Sequence, residues 1–254
     1  MCSAKRKDAL KADRPMDWVG SEADWLYAHL SSCLHAMGQP LTVLRCTVAA
    51  SAAEGITPEK LQKNLATSAE QVKRLCGLFD CLRELVDSVQ LGGERTPVEV
   101  SRLLNIAVED QIPLLHASGL GINVTIPAYL RSAMLTDMTG SLRALSSVLK
   151  TAASLSSQGD VIEVRVAPKN GGVELIVQNA RARSKCLTPL ERLNLAVAEA
   201  SIRSQAGDYA CMEDPFLVSL TLPAQSPAHH RVLNIAASMG EEARYRTMQG
   251  RLCS

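Results

Sequence analysis

The sequence predicts an α+β protein, a helical hairpin followed by an α/β domain, and three observations lead to this prediction. Residues 21–92 contain two long stretches in which apolar residues recur at steps of three and four, the spacing of a buried helix face. Residues 96–223 mix helical stretches with short runs in which every second residue is apolar, as in half-buried strands. Gly92-Gly93 forms a linker, while residues 1–20 and 224–254 carry no sustained pattern and are expected to be flexible termini.

The first predicted helix starts at Ser21, because a serine followed three residues later by Asp24 approximates a capping box. Pro40 lies inside this helix and is expected to bend it, since proline removes one backbone hydrogen bond. Gly55 marks its end. The apolar residues of the helix are expected to form one buried stripe: Leu26, Leu30, Cys33, Met37, Leu41, Leu44 and Val48.

The second predicted helix begins at Thr57-Pro58, a threonine cap followed by a proline at the first helical position. Its apolar residues form a heptad seam: Leu61, Leu65, Val72, Leu75, Phe79, Leu82, Val86 and Val89. Two helices alone cannot cover stripes of this length. The hairpin is therefore expected to pair with the hairpin of a second copy in a four-helix bundle, which would make the protein a homodimer.

The elements predicted for the second domain follow one another along residues 96–223. Helices are expected at 103–116, where Gly119 stops the helix, at 142–155 and at 190–205. Strands are expected at 122–126, 161–166, 173–177 and 216–222, with a hairpin turn across 169–172. Mostly antiparallel strands in this order indicate a sheet with helices on one face.

Composition excludes several classes of function. The formal net charge is +1 and aromatic residues make up 3% of the chain, which argues against nucleic acid, an anionic membrane surface or carbohydrate as a partner. No apolar run is long enough to span a membrane, and no secretory signal is evident. The eight cysteines form no Cys-x-x-Cys pair, and several fall at apolar helix positions, so buried, reduced thiols in a cytoplasmic protein are expected.

The segment His35-Ala-Met-Gly-Gln-Pro-Leu is the candidate for chemistry. His35 and Gln39 lie one turn apart on the same flank of the first helix, beside the apolar stripe. A histidine at the edge of a helix–helix seam can stay open to solvent, where a ring nitrogen can act as a nucleophile. The alternative is an ordinary surface histidine beside a helix kink, and the spacing alone leaves both open.

Taken together, residues 25–223 resemble the bacterial sensor histidine kinases. The segment at His35 is similar to their phosphoacceptor box, which typically reads His-Glu-x-x-(Thr/Asn/Gln)-Pro-Leu. Residues 142–152 resemble the helix of their Asn box, 173–179 the strand before their Asp-x-Gly box, and 193–197 their Gly-Leu-Gly-Leu-Ala-Val segment. The resemblance implies a dimeric helical bundle that carries the phosphoacceptor, followed by a Bergerat-type α/β sandwich of the histidine kinase ATPase kind.

This chain departs from the family at the positions that the resemblance assigns to nucleotide. The asparagine that holds magnesium in the family is replaced by Thr151, with Ser147 one turn earlier, and a hydroxyl is a weaker magnesium ligand than an amide carbonyl. The aspartate that reads adenine corresponds to Asn179, and the glycine two residues later to Arg181. A bulky cation at 181 would intrude where the backbone must approach the nucleotide.

The phosphate-binding segments depart further. The two glycines of the Gly-x-Gly segment correspond to Arg192 and Asn194, although phosphates reach backbone N–H groups only where no side chain intervenes. The segment that covers ATP in the family is nearly absent between residues 181 and 190. Ala36 replaces the acidic residue that usually follows the phosphoacceptor, and alanine transfers no proton. The resemblance therefore implies a degenerate member that has lost ATP and magnesium binding, with no other cofactor expected.

His35 and Gln39 remain competent for chemistry. The resemblance implies a histidine phosphotransferase, of the kind built as a dimeric degenerate kinase, in which His35 relays phosphoryl groups to or from the receiver domains of response regulators. Three alternatives stay open. Gln39 could position a water molecule that hydrolyses the regulator's aspartyl phosphate; the chain could be a non-catalytic pseudokinase scaffold in which His35 is a relic; or it could be an active kinase with unusual boxes.

Overall fold

The computed structural model describes residues 22–53, 55–89, 95–169, 172–179, 186–224 and 247–248. They form a helical hairpin and an α/β domain, so the predicted fold class is confirmed. Ser21, the Gly92-Gly93 linker, Arg181 and most of both termini lie outside the described residues. Among the helices that are described, none is both long and apolar enough to cross a membrane.

The hairpin consists of α1 (Glu22–Ser51) and α2 (Pro58–Val89), which run antiparallel. Thr57 caps α2 as predicted, because its hydroxyl oxygen accepts a hydrogen bond from the backbone N–H of Lys60 at 3.3 Å. Near the turn, the Asn64 amide donates to the Ser51 hydroxyl at 3.0 Å. Pro40 lies within α1 and does not end the helix.

The prediction of one buried stripe on α1 is wrong, because its residues are divided between two faces. Cys33 and Met37 are buried, whereas Leu41 and Val48 are 52% and 57% exposed. The same division occurs on α2, where the buried residues are Leu78, Cys81 and Leu85, while much of the predicted seam is exposed. The reason is that the α/β domain covers one face of the hairpin and leaves the other uncovered.

The α/β domain contains two sheets and three helices. Its helices are α3 (Val100–Ser118), α4 (Met138–Leu155) and α5 (Pro189–Arg203). Its strands are β1 (Val98–Glu99), β2 (Gly121–Thr125), β3 (Met134–Leu135), β4 (Val161–Lys169), β5 (Gly172–Asn179), β6 (Asp208–Glu213), β7 (Phe216–Pro223) and β8 (Thr247–Met248). The main sheet has the order β6-β7-β5-β4-β2-β8, in which only the β2–β4 pairing is parallel; β1 and β3 form a separate antiparallel pair.

Alternation along the central strands places the core on one face of the main sheet. The inward residues are fully buried aliphatics: Ile162, Val164, Val166, Val173, Leu175, Val177, Val218, Leu220 and Leu222. Most of the intervening positions carry polar residues, and Lys169 pairs with Glu174 at 3.0 Å on the other face. Buried residues of α3, α4 and α5 complete this core, so the predicted arrangement of helices on one face is confirmed.

Several elements were absent from the sequence-based prediction. The β6 strand shows no apolar alternation because it is an edge strand with mostly exposed side chains. β8 lies within the tail expected to be flexible, yet Met248 pairs with Val124 at the edge of the main sheet.

The expectation of buried cysteines holds for Cys33 and Cys81, whereas the four other described cysteines are exposed: Cys46, Cys76, Cys186 and Cys211.

Candidate functional site

His35 lies on the solvent-exposed side of α1, and Gln39 is exposed one turn further along the same helix. The neighbours that hold α1 in place are the buried Cys33 and Met37, which point toward α2. The Cys33 thiol also approaches the backbone carbonyl of Leu78 at 4.0 Å. The histidine thus sits beside the packed seam on a helix whose orientation is fixed by that seam, with its ring open to a partner.

Two other histidines are described, and neither lies in a comparable place. His29 packs its ring against Trp25, with 4.5 Å between the ring centroids, and burial lowers the pKa of its imidazole. His116 is exposed in the last turn of α3, in the α/β domain. Of the three histidines in the described part of the chain, only His35 is both exposed and located on the hairpin.

A groove of about 370 Å³ runs along the flank of α1 that carries Gln39. The hairpin and the start of α5 both contribute to its lining: Ala36, Gln39, Pro40, Arg74, Leu78, Thr188, Pro189 and Leu190. Arg74 is the charged member of this set, and it forms an exposed ion pair with Glu70 at 3.6 Å. The groove therefore presents a mostly apolar surface with one cationic side chain, Arg74, to a partner. Its lining includes Ala36, the residue that follows His35.

The two helices that the resemblance assigns to nucleotide binding, α4 and α5, pack directly against each other. The Ser141 hydroxyl donates to the Gln205 side chain at 3.1 Å just beyond one end of α5. The Ser154 hydroxyl donates to Glu191 at 2.7 Å near its other end. Small buried side chains between these contacts allow the close approach: Ala144, Ser147, Thr151, Ala198 and Ser201.

The side chains expected at the nucleotide positions of α4 and β5 are buried in this packing. Thr151 is fully buried, and its hydroxyl donates to the backbone carbonyl of Ser147 at 3.0 Å. Ser147 is 1% exposed, and its hydroxyl has no hydrogen-bond partner among the described residues. Asn179 is also 1% exposed, and its amide donates to the Ser156 hydroxyl at 2.6 Å. The structure therefore brings these three polar side chains into the domain interior.

Arg192 and Asn194, the residues at the two glycine positions, point in different directions. Arg192 is exposed, whereas Asn194 is buried and its side-chain oxygen accepts a hydrogen bond from the Cys81 thiol at 3.0 Å. Burial raises the pKa of that thiol to about 12, which keeps it protonated as the donor. Asn194 thus joins α5 to the hairpin. Arg181 lies outside the described residues, so its position relative to these side chains is not described.

A cavity of about 330 Å³ remains where α2, α4 and α5 meet. Its charged lining consists of Asp80 and Glu84 on α2, Lys150 on α4 and Glu191 on α5. Lys150 faces Glu84 at 4.0 Å, and both carboxylate oxygens of Glu191 accept hydrogen bonds, from Ser154 and from the backbone of Thr188. Three carboxylates against one ammonium make this space unfavourable for a polyphosphate.

Cys81 and Glu191, which line this cavity and form hydrogen bonds at its edge, are not among the site residues predicted from the sequence. Cys81 lies between the seam positions of α2, and no sequence pattern distinguished it from the other cysteines. Glu191 could have been found, because Thr188-Pro-Leu-Glu191 is a capping box with proline at the first helical position, and the structure contains both of its hydrogen bonds.

Comparison with known proteins identifies the fold. No protein-family model matches the sequence, and no curated protein matches it either. The structure is similar to the histidine kinase AdeS of Acinetobacter baumannii, with a TM-score of 0.57 and 15% identity over 76% of this chain and 98% of that chain. A histidine kinase from Burkholderia phymatum matches with a TM-score of 0.44 and 16% identity, over 76% and 97% of the two chains. The likeness to AdeS shows that the hairpin and the α/β domain have the fold of a histidine kinase.

Proposed function

We propose that this protein is a histidine phosphotransferase that relays phosphoryl groups through His35 to or from the receiver domains of response regulators. One contrast carries the proposal: His35 is exposed on the hairpin, whereas three side chains at the nucleotide-type positions are buried and hydrogen-bonded within the chain, namely Thr151, Asn179 and Asn194. A protein arranged in this way can exchange a phosphoryl group with a partner but is poorly built to obtain one from ATP.

The exchange needs little from this chain besides a positioned imidazole. A ring nitrogen of His35 forms a P–N bond while the P–O bond of the aspartyl phosphate breaks, and the electron pair of that bond returns to the carboxylate. The reverse step restores the aspartyl phosphate on a second regulator. Because the receiver binds its own magnesium in such pairs, the hairpin supplies only the nucleophile, its orientation and a docking surface.

The residues at the nucleotide-type positions do not fit ATP and magnesium. Thr151 has its hydroxyl committed to a backbone carbonyl, Asn194 accepts from Cys81, and the adjoining cavity is rich in carboxylates. We expect titration calorimetry to detect no ATP binding at millimolar magnesium-ATP, and labelled ATP to leave no label on the chain. Binding in the micromolar range, or autophosphorylation, would contradict the proposal and favour an active kinase.

The uncovered face of the hairpin supports a homodimer. Apolar residues spaced by seven remain exposed on both helices of the single chain: Tyr27, Leu34, Leu41 and Val48 on α1, and Leu65, Val72, Phe79 and Val86 on α2. These heptad rows are what a second hairpin would cover in a four-helix bundle. We therefore include dimerisation through α1 and α2 in the proposed function.

The direct test is phosphoryl exchange with purified receiver domains. Receiver domains encoded in the same genome are phosphorylated with labelled acetyl phosphate, freed of the donor and mixed with this protein. The proposal expects label to appear on His35 within minutes for at least one receiver and to disappear when a second, unphosphorylated receiver is added. If no receiver in the set transfers label, the scaffold hypothesis takes precedence.

Gln39 separates transfer from hydrolysis. Its exposed amide lines the groove one turn from His35, a place from which it could also orient a water molecule toward a docked aspartyl phosphate. For a phosphotransferase, Gln39→Ala is expected to change the rate of label transfer by less than about fivefold, since the imidazole makes the attack. A phosphatase would instead lose about 100-fold or more in phosphate release, even with His35 present.

A further inference from the structure

The α5 helix has two buried apolar faces that belong to different clusters. The residues on one face are part of the core of the α/β domain: Leu195, Ala198 and Ile202. The residues on the other face pack against the hairpin: Leu193, Ala196, Val197 and Ala200. A helix that is apolar on both sides is buried between two bodies, so α5 serves the domain core and the attachment to the hairpin at the same time.

Polar contacts reinforce this attachment along the length of α5. Near its start, Asn194 accepts the hydrogen bond from Cys81 on α2. Further along, Glu199 receives a side-chain hydrogen bond from Trp25 on α1, and burial raises the pKa of the Glu199 carboxyl. Beyond its end, Arg95, which precedes β1, donates to the backbone carbonyl of Ser204 at 2.8 Å. The contacts of Asn194 and Glu199, one with each hairpin helix, restrict rotation of α5 as well as its separation from the hairpin.

The start of α5 forms one wall of the groove that Ala36 and Gln39 line next to His35. Thr188, Pro189 and Leu190 line that groove opposite Ala36 and Gln39. A helix is stiff over fifteen residues, so anchoring residues 193–200 on the hairpin also fixes the place of residues 188–190. If the attachment opened, the hairpin would keep His35 and Gln39 but lose this wall.

We propose that Val197, Ala200 and Asn194 are positioning residues that hold the first turn of α5 as the fixed second wall of the groove in which a receiver domain docks beside His35. This inference rests on the proposed function and adds a requirement to it. Exchange with a receiver needs the α/β domain seated on the hairpin, whereas the chemistry of the exposed imidazole does not.

The test compares a large phosphoryl donor with a small one on the full-length protein. The large donor is the phosphorylated receiver domain that exchanges label with the wild type. The small donor is phosphoramidate with its nitrogen protonated: its P–N bond breaks and ammonia leaves with the electron pair, while the unprotonated ring nitrogen of His35 forms the new P–N bond. The other ring nitrogen then gives its proton to the released ammonia. Phosphoramidate needs no groove, so it reports the reactivity of His35 alone.

Val197→Asp places an unpaired charge in the buried attachment face, and Asn105→Asp adds the same charge at an exposed position of α3 as a control. We expect Val197→Asp to increase the radius of gyration in X-ray scattering and to lower transfer from the receiver at least about tenfold. The rate with phosphoramidate should stay within about twofold of the wild type, and Asn105→Asp should change none of the three measurements. Ala200→Lys, a substitution nearer the rim of the interface, repeats the test if Val197→Asp lacks a folded circular dichroism spectrum.

Three other outcomes of this experiment would each contradict one claim of the proposal. If receiver transfer persists while scattering shows a detached domain, the groove does not need its second wall and the positioning role fails. If the folded test variant, Val197→Asp or its substitute Ala200→Lys, stays as compact as the wild type, α5 does not hold the two domains together. If the wild type reacts with phosphoramidate at His35 but exchanges with no receiver, the proposed function fails, and the positioning proposal fails with it.

Discussion

Replacing His35 with alanine is expected to abolish phosphoryl exchange with receiver domains while the fold and the oligomeric state remain unchanged. His35 is exposed and lies beside the hairpin seam, so its removal leaves no cavity and no unpaired buried group. Removing a nucleophile eliminates the covalent intermediate, and a loss of about 1000-fold or more in the transfer rate is expected. The measurement is label transfer in the receiver assay, accompanied by circular dichroism and light scattering on the same sample.

His116→Ala is the matched control for this substitution. His116 is also an exposed helical histidine, but it lies at the end of α3 in the α/β domain, and its loss is expected to leave transfer unchanged. If His35→Ala keeps full activity toward receivers, the relay through His35 does not occur. If partner binding persists at full strength with phosphate never detected on the wild-type histidine, the chain acts as a scaffold.

Much of the fold could be predicted from local sequence signals. Thr57-Pro58 marked the start of α2, and Gly119, which adopts a φ of 64°, marked the end of α3. The alternating apolar residues of β4, β5 and β7 were readable because the core face of the sheet is wholly aliphatic and the other face carries mostly polar residues. The edge strand β6 carried no such signal, since neither of its faces is buried.

The hairpin shows why periodicity alone was insufficient. Steps of three and four identify apolar helix faces but do not say which partner covers each face. The sequence grouped Met37 with Leu41, although the structure buries the first against the α/β domain and leaves the second 52% exposed. Leu78 and Leu85 are not part of the predicted seam, and in the structure they are buried against α5, a helix more than 100 residues away in the sequence.

The choice of His35 and Gln39 rests on their local segment and stays a prediction, to which the structure adds that both side chains are exposed on α1. How the side chains pack at the positions that the resemblance assigns to nucleotide could not be predicted from the sequence. Asn194 was interpreted as a lost glycine, and its hydrogen bond with Cys81 joins two residues that are 113 positions apart in the sequence. The burial of Asn194 is therefore explained by tertiary packing, and a single sequence carries no direct signal for such pairs.

Phe79→Glu is expected to convert the dimer to a monomer without unfolding the single chain. Phe79 is 59% exposed and belongs to the row of α2 that the α/β domain leaves uncovered, so a carboxylate there is solvated in the monomer. In a four-helix bundle it would be buried without a cationic partner, at a cost of about 3 kcal/mol or more per site, which weakens association by at least about 100-fold.

Leu75 is a poorer position for this test because it also packs against the cluster that joins α5 to the hairpin. Light scattering at tens of micromolar measures the mass, and Lys73→Glu, an exposed change on the same helix, serves as the control.

A wild-type protein that is already monomeric under these conditions would remove the dimer from the proposal. A Phe79→Glu protein that stays dimeric would place the interface on a different surface. Because both heptad rows remain uncovered in the single chain, we expect the substitution at the centre of one row to decide the assembly.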